Sequence, residues 1–128
     1  MLPLQAVARA AREAGTMDDA WGTIDEIIEW LDGGSTLGPE ITKLIRIMKL
    51  TEEAGEVTQA VIGTLGQNPR KGVTHTWEDV QAELCDVIVT AMVALATLTP
   101  DARATFNGHL ARVASRSLGT PSAAAATS

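Results

Sequence analysis

Two acidic pairs are the residues of this chain whose types and spacing could do chemistry. Glu53 and Glu56 form the first pair, and Glu83 and Asp86 form the second. On a helix, a spacing of three residues places both carboxylates on one face, within reach of a common ion. Carboxylate oxygens without convergent histidine or cysteine suit hard cations, Mg²⁺ above all or Mn²⁺. The pairs therefore indicate an all-oxygen cation site, if their helices are neighbours.

The helix that carries the second pair is apolar in nearly every direction between Val80 and Leu98. Such a helix is normally buried, and carboxylates on it are unfavourable unless they are hydrated, paired or bound to metal. A solvent-facing side explains its narrow polar stripe equally well. That stripe consists of Asp79, Glu83, Asp86, Thr90 and Thr97.

The helix that carries the first pair, predicted from about Glu40 to Leu65, is amphipathic. Its polar face consists of Thr42, Arg46, Lys49, Glu52, Glu53, Glu56 and Gln59. Such a mixture of charges is typical of a solvated face with local ion pairs, such as Lys49 with Glu52 or Glu53. The opposite side is predicted to face the core, and it carries Leu44, Ile47, Leu50, Ala54, Val57, Val61 and Leu65.

The whole pattern predicts an all-α fold of four to five helices, because no strand-like alternation occurs. Residues 1–119 are expected to form a single domain, followed by a disordered tail over 120–128. Two helices are predicted before the acidic ones, over Leu4–Ala14 and from an N-cap at Thr16 to Gly33-Gly34. The first acidic helix is predicted from about Glu40 to Leu65, and the second begins at a capping box of Thr76 and Asp79. The last helix is predicted from Thr99-Pro100-Asp101 to Gly119.

The composition limits which binding partners and which cellular compartment we expect. A formal net charge of −6 provides no electrostatic footprint for nucleic acid or an anionic membrane. Cys85 is the only cysteine, so no intrachain disulfide forms. No export signal stands out, and the longest apolar run, Val87 to Leu98, is too short to span a bilayer. We expect a soluble, cytoplasmic protein.

The acidic segments resemble a known family. Glu52-Glu53-x-x-Glu56, followed by Glu83-x-x-Asp86, is similar to the EExxE…ExxD pattern of the MazG-like, all-α nucleoside triphosphate pyrophosphohydrolases. The apolar context of Lys49–Val57 and Glu83–Ile88 is similar too. The resemblance implies a helical bundle whose core is completed as a homodimer or a dimer of dimers. It also implies Mg²⁺-dependent cleavage of a nucleoside triphosphate between the α- and β-phosphates, releasing a monophosphate and pyrophosphate, as in nucleotide-pool housecleaning.

Residue roles follow from this resemblance by position. Glu53, Glu56, Glu83 and Asp86 would bind the metal, and Glu52 would be an outer-shell ligand or would help to position water. Glu52 or Glu53 would accept the proton of the attacking water. Candidate phosphate contacts are Asn107, Arg112 and Arg116 after the second motif, or Arg70 and Lys71 in the loop between the acidic helices. Trp21 and Trp30 are candidate base contacts, although a core position is open for either.

Other functions are compatible with parts of this pattern. A non-catalytic helical module that dimerises or senses a nucleotide would leave the acidic faces solvated. A di-iron bundle is disfavoured, because neither His75 nor His109 follows a glutamate by three residues. A glycosidase is disfavoured because a helical scaffold of this size has little room for a sugar cleft.

Overall fold

Four α-helices make up the part of the chain that the structure, a computed structural model, describes: residues 17–119. They are α1 (Met17–Gly34), α2 (Pro39–Leu65), α3 (Trp77–Leu98) and α4 (Ala102–Leu118), and this range contains no strand. The all-α prediction is confirmed at this level. The predicted helix over Leu4–Ala14, the predicted N-cap at Thr16 and the tail over 120–128 lie outside the described residues.

Local signals define the ends of the helices on both sides of the α2–α3 loop. Gly66 ends α2 with a left-handed backbone (φ 64°) that a side chain would strain. Thr76 begins α3 with the predicted capping box. Its hydroxyl accepts from the Asp79 N–H at 3.3 Å, and its own N–H donates to the Asp79 carboxylate at 2.9 Å.

The predicted start of the last helix is wrong by two residues. Asp101, not Thr99, is the N-cap of α4. The Thr99 N–H still bonds the carbonyl of Leu95, so this threonine ends α3. Its hydroxyl accepts a hydrogen bond from the Asp101 N–H at 3.1 Å, within the short turn between the helices.

The hairpin of α2 and α3 is the centre of the fold. These two helices make the most extensive contact, while α1 and α4 each pack on α3. The buried core cluster joins α1, the second half of α3 and the start of α4, through Trp21, Ile24, Met92, Val93 and Ala102. The ring of Trp21 packs against that of Phe106, with centroids 6.1 Å apart. The antiparallel hairpin therefore brings the two acidic segments opposite each other.

The predicted core-facing side of α2 is partly wrong. Leu44 is 55% exposed and Leu65 is 53% exposed, whereas Arg46, on the predicted polar face, is only 8% exposed. The exposed side forms a continuous row at alternating spacings of three and four residues, the pattern of a coiled-coil seam. We call this row the α2 seam: Ile41, Leu44, Met48, Thr51, Gly55, Thr58, Ile62 and Leu65, all of them exposed.

Helix α3 also leaves large apolar side chains in solvent, so its predicted burial all round is wrong for the single chain. Trp77, Leu84, Ile88 and Leu98 are between 47% and 55% exposed. The whole 22-residue helix, unlike its uninterrupted apolar run, is long and apolar enough to cross a membrane by length and composition. That is weak evidence, because core helices of soluble proteins meet the same criterion.

Candidate metal centre

Three carboxylates from two helices meet at the middle of the α2–α3 hairpin. Glu53 of α2 and Glu83 and Asp86 of α3 each offer an oxygen, and these oxygens lie within 4.8 Å of one another. We call this group the acidic triad. Glu53 and Glu83 are half-buried, and Asp86 is exposed. Ion pairs between the described residues involve none of the three carboxylates.

The triad has an unfavourable concentration of negative charge. Partial burial raises the pKa of the Glu83 carboxyl, and the charges of Asp86, Glu56 and Glu53 raise it further. Within residues 17–119, His75 alone opposes them and lowers the pKa of Glu83. A divalent cation would relieve this repulsion, and oxygen donors alone are the ligand set of Mg²⁺ or Mn²⁺.

The other two predicted acidic residues lie beside the triad but outside it. Glu56 is exposed and does not belong to the group of oxygens within 4.8 Å. It is nevertheless near enough to raise the pKa of Glu83. Glu52 is exposed and accepts a 3.1 Å ion pair from Lys49, one of the two pairings predicted from spacing.

An open pocket of about 330 Å³ adjoins the triad, between α1, α2 and α3. Lys49, one helical turn before Glu53, and Thr90, one turn after Asp86, both line it. Its walls are mainly aliphatic, formed by Ile27, Leu31, Leu37, Ile45, Val89 and Val93. On both helices the pocket lining therefore comes within one helical turn of the triad, although no triad residue lines the pocket.

Arg46 forms the innermost polar part of this pocket and connects three helices. Its guanidinium donates to the Asp32 carboxylate of α1 at 2.6 Å and to the Thr97 hydroxyl of α3 at 3.1 Å. The Arg46 side chain is 9% exposed. Burial of a guanidinium is tolerated here because a carboxylate and a hydroxyl accept from it.

The α2–α3 loop is attached to α2 at Gly63. The Thr74 N–H donates to the Gly63 carbonyl at 3.0 Å, and the Thr74 hydroxyl and His75 Nδ1 share a 2.8 Å hydrogen bond. A Cβ at Gly63 would overlap the His75 ring and the Thr74 hydroxyl. This close approach needs glycine, and it holds His75 in electrostatic range of Glu83.

The predicted phosphate and base contacts do not line the pocket beside the triad. Arg70 and Lys71 are exposed in the loop turn around Asn68. Trp21 is 4% exposed in the core, and Trp30 is 48% exposed near the end of α1. The predicted contacts on α4 are all exposed: Asn107, Arg112 and Arg116. None of these residues lines the pocket beside the triad.

Sequence reasoning missed the pocket cations. The sequence predicts Arg46 on a solvated polar face, because a periodic pattern cannot show that a third helix covers it. Lys49 is exposed and pairs with Glu52 as predicted, but its place in the lining of a pocket was not foreseen. One signal was available: both residues precede Glu53 at intervals that place them on its side of α2.

Comparison of the chain with protein-family models, curated proteins and solved structures found no match. The resemblance to the MazG-like enzymes therefore depends on the acidic motifs and their apolar context.

Proposed function

We propose that this protein is a Mg²⁺-dependent nucleoside triphosphate pyrophosphohydrolase, similar to the MazG-like enzymes and acting in the cytoplasm on surplus or damaged nucleotides. The observation that carries the proposal is the convergence of Glu53, Glu83 and Asp86. The motif resemblance predicted four ligands on two helices, and three of these residues meet. Glu56 completes the proposed set beside them.

The donor set fits a hard cation. The spread of up to 4.8 Å between the oxygens lets small side-chain rotations bring them onto one ion, since ligands 2.0–2.1 Å from Mg²⁺ lie at most about 4.2 Å apart. When bound, the cation would offset charge on the phosphate oxygens in the transition state. Mn²⁺ would fit the same oxygens.

The carboxylates of the chain would also move a proton. Water attacks the α-phosphorus, the bond from that phosphorus to the α–β bridging oxygen breaks, and its electron pair leaves with pyrophosphate. The water proton passes to Glu52 or Glu53, which are adjacent in the chain; Glu53 belongs to the triad and Glu52 is exposed. Lys49 holds Glu52 on this side of α2 through their 3.1 Å ion pair.

The pocket supports a nucleoside as the remainder of the substrate. Its volume of about 330 Å³ and its aliphatic walls are those of a small-molecule site. It begins one turn from the triad on both helices, so phosphates at the triad would direct the sugar and base into it. Base contacts would then come from aliphatic side chains of α1, α2 and α3.

The α2 seam and the exposed apolar side chains of α3 support a second copy of the chain as the partner. Only eight hydrophobic residues are buried among the described residues, whereas seventeen large ones are exposed. The α2 seam has Thr51, Gly55 and Thr58 at its middle, where small side chains would let another helix approach closely. Two such hairpins would form a four-helix bundle, as a homodimer or within a dimer of dimers.

Pyrophosphate release from canonical and modified nucleoside triphosphates tests the proposal directly. With Mg²⁺ we expect turnover in the wild type and its loss in Glu53→Gln and Asp86→Asn. Glu26→Gln is the matched control, because Glu26 is an exposed acid of α1. Wild-type activity in both triad variants would overturn the site assignment.

The α2 seam also suits a non-catalytic dimerisation or nucleotide-sensing module. That function predicts that a nucleotide raises the melting temperature while no pyrophosphate appears, so the two measurements together separate the alternatives.

A further inference from the structure

Among the residues that the structure describes, the only charged ones that line the pocket beside the acidic triad are cations. They are Arg46 and Lys49, although the chain has a net charge of −6. Both side chains are donors only, because guanidinium and ammonium groups have no acceptor. A ligand group at these positions must therefore offer hydrogen-bond acceptors.

Arg46 is held in one position. Its Nη2 donates to Asp32 and its Nη1 donates to Thr97. The Thr97 hydroxyl in turn donates to the Val93 carbonyl at 2.7 Å, so only its lone pairs face the guanidinium. A donor fixed in this way discriminates between ligands, because it does not rotate away from an unsuitable group.

The guanidinium retains donors that the chain does not use. Of its five N–H groups, described residues accept hydrogen bonds from two. No fully buried side-chain nitrogen or oxygen among the described residues lacks a partner. The Nε–H, which donates to no described residue, is therefore not fully buried. Arg46 lines the pocket beside the triad and also a second pocket of about 410 Å³, which Asp32 and Thr97 line with it.

We propose that Arg46 determines base specificity, and that the pocket takes nucleotides whose base presents a carbonyl oxygen to it: 6-oxopurines or 4-oxopyrimidines. This rests on the proposed function, in which the triad holds the phosphates. Helix α2 rises about 10 Å between Glu53 and Arg46, which is the scale of a nucleoside. An amino group in place of the carbonyl would set donor against donor and leave both unsatisfied.

Two substrate pairs test the base class, because the members of each pair differ only in the oxo or amino group and in the proton on the adjacent ring nitrogen. Inosine triphosphate is compared with adenosine triphosphate, and uridine triphosphate with cytidine triphosphate, by kcat/KM. We expect the oxo member of at least one pair to be preferred about tenfold or more. Comparison of the purine pair with the pyrimidine pair shows which ring size the pocket accepts. Equal kcat/KM values within both pairs would overturn the inference.

Arg46→Met tests the residue. It removes the donors, and the preference should fall to within about twofold of unity. Because Arg46 also ties three helices, Arg46→Lys and Thr97→Val are measured beside it, with circular dichroism to verify folding. Each changes the donor geometry without deleting the charge, so each should reduce the preference. A preference that survives in the folded variants would show that Arg46 does not set it.

Binding without turnover separates this inference from the proposed function. Melting temperatures are measured with inosine, adenosine, uridine and cytidine monophosphates and no metal. Oxo-selective stabilisation with no triphosphate hydrolysis would retain the inference and reject the enzyme. Hydrolysis with no selectivity in either measurement would retain the enzyme and reject the role of Arg46.

Discussion

Glu53 on α2 and Glu83 on α3 place carboxylate oxygens within 4.8 Å of each other, and the ion pairs between described residues neutralise neither. Lys49, the nearest cation along α2, pairs with Glu52 instead. Like charges held together by folding lower stability. Their position one helical turn from residues that line an apolar pocket indicates a functional reason for keeping this repulsion.

A divalent cation should stabilise the folded chain through this group. We expect Mg²⁺ or Mn²⁺ at about a hundred times its Kd to add about 2.7 kcal/mol relative to EDTA, a rise in melting temperature on the order of 10 °C. Glu83→Gln should remove most of this rise. It should also melt higher than the wild type in EDTA, because one of the clustered charges is gone.

Thermal melts of wild type, Glu83→Gln and the control Glu26→Gln test this expectation. Glu26→Gln should keep the full response to the cation, since Glu26 is not part of the triad. An equal cation response in Glu83→Gln and wild type would contradict it.

Stability without a cation should depend on pH through Glu83. Its pKa in the folded chain lies above the ordinary value of 4.5, so the folded state holds this proton more tightly than the unfolded state. The resulting stability is fully present below pH 4.5 and is lost as pH rises through the raised pKa. In EDTA, the difference in unfolding free energy between Glu83→Gln and wild type should therefore grow with pH across this window. A difference independent of pH would contradict the raised pKa.

Assembly should depend on the α2 seam. Met48→Glu places a charge at a seam residue that is 68% exposed in the single chain, so it should dissociate a dimer without destabilising the monomer. Light scattering after size exclusion gives the mass. Val73→Glu is the matched control, since Val73 is 72% exposed and lies in the loop. If both variants keep the wild-type mass, the seam is not the interface.

Features set by neighbouring residues could be predicted from the sequence, and features set by a third helix could not. The Thr76–Asp79 capping box and the pairing of Lys49 with Glu52 need only local geometry. The two acidic pairs could be placed together because a short loop makes their helices antiparallel neighbours. Burial of Arg46 depends on Asp32 of α1 and Thr97 of α3, which no periodicity within α2 reveals.

The faces of α2 were misassigned for a related reason. Hydrophobic periodicity shows that Leu44 and Leu65 lie on an apolar side, but not whether this chain or another covers that side. Within the described residues they remain exposed, so the pattern that predicted a core describes a surface suited to a partner helix.

Gly63 should be the helix glycine that tolerates a methyl group least. In Gly63→Ala the new Cβ would overlap the His75 ring and the Thr74 hydroxyl, so the end of the loop must move. We expect a loss of about 1–3 kcal/mol in unfolding free energy, measured by urea denaturation. The pKa of Glu83 should also rise, because His75 would no longer oppose the neighbouring carboxylates.

Gly108→Ala is the control, since its Cβ meets Arg112 at an ordinary 3.8 Å. This variant should gain up to about 1 kcal/mol in unfolding free energy from helix propensity. Equal gains in unfolding free energy in Gly63→Ala and Gly108→Ala would show that the loop does not pack against Gly63.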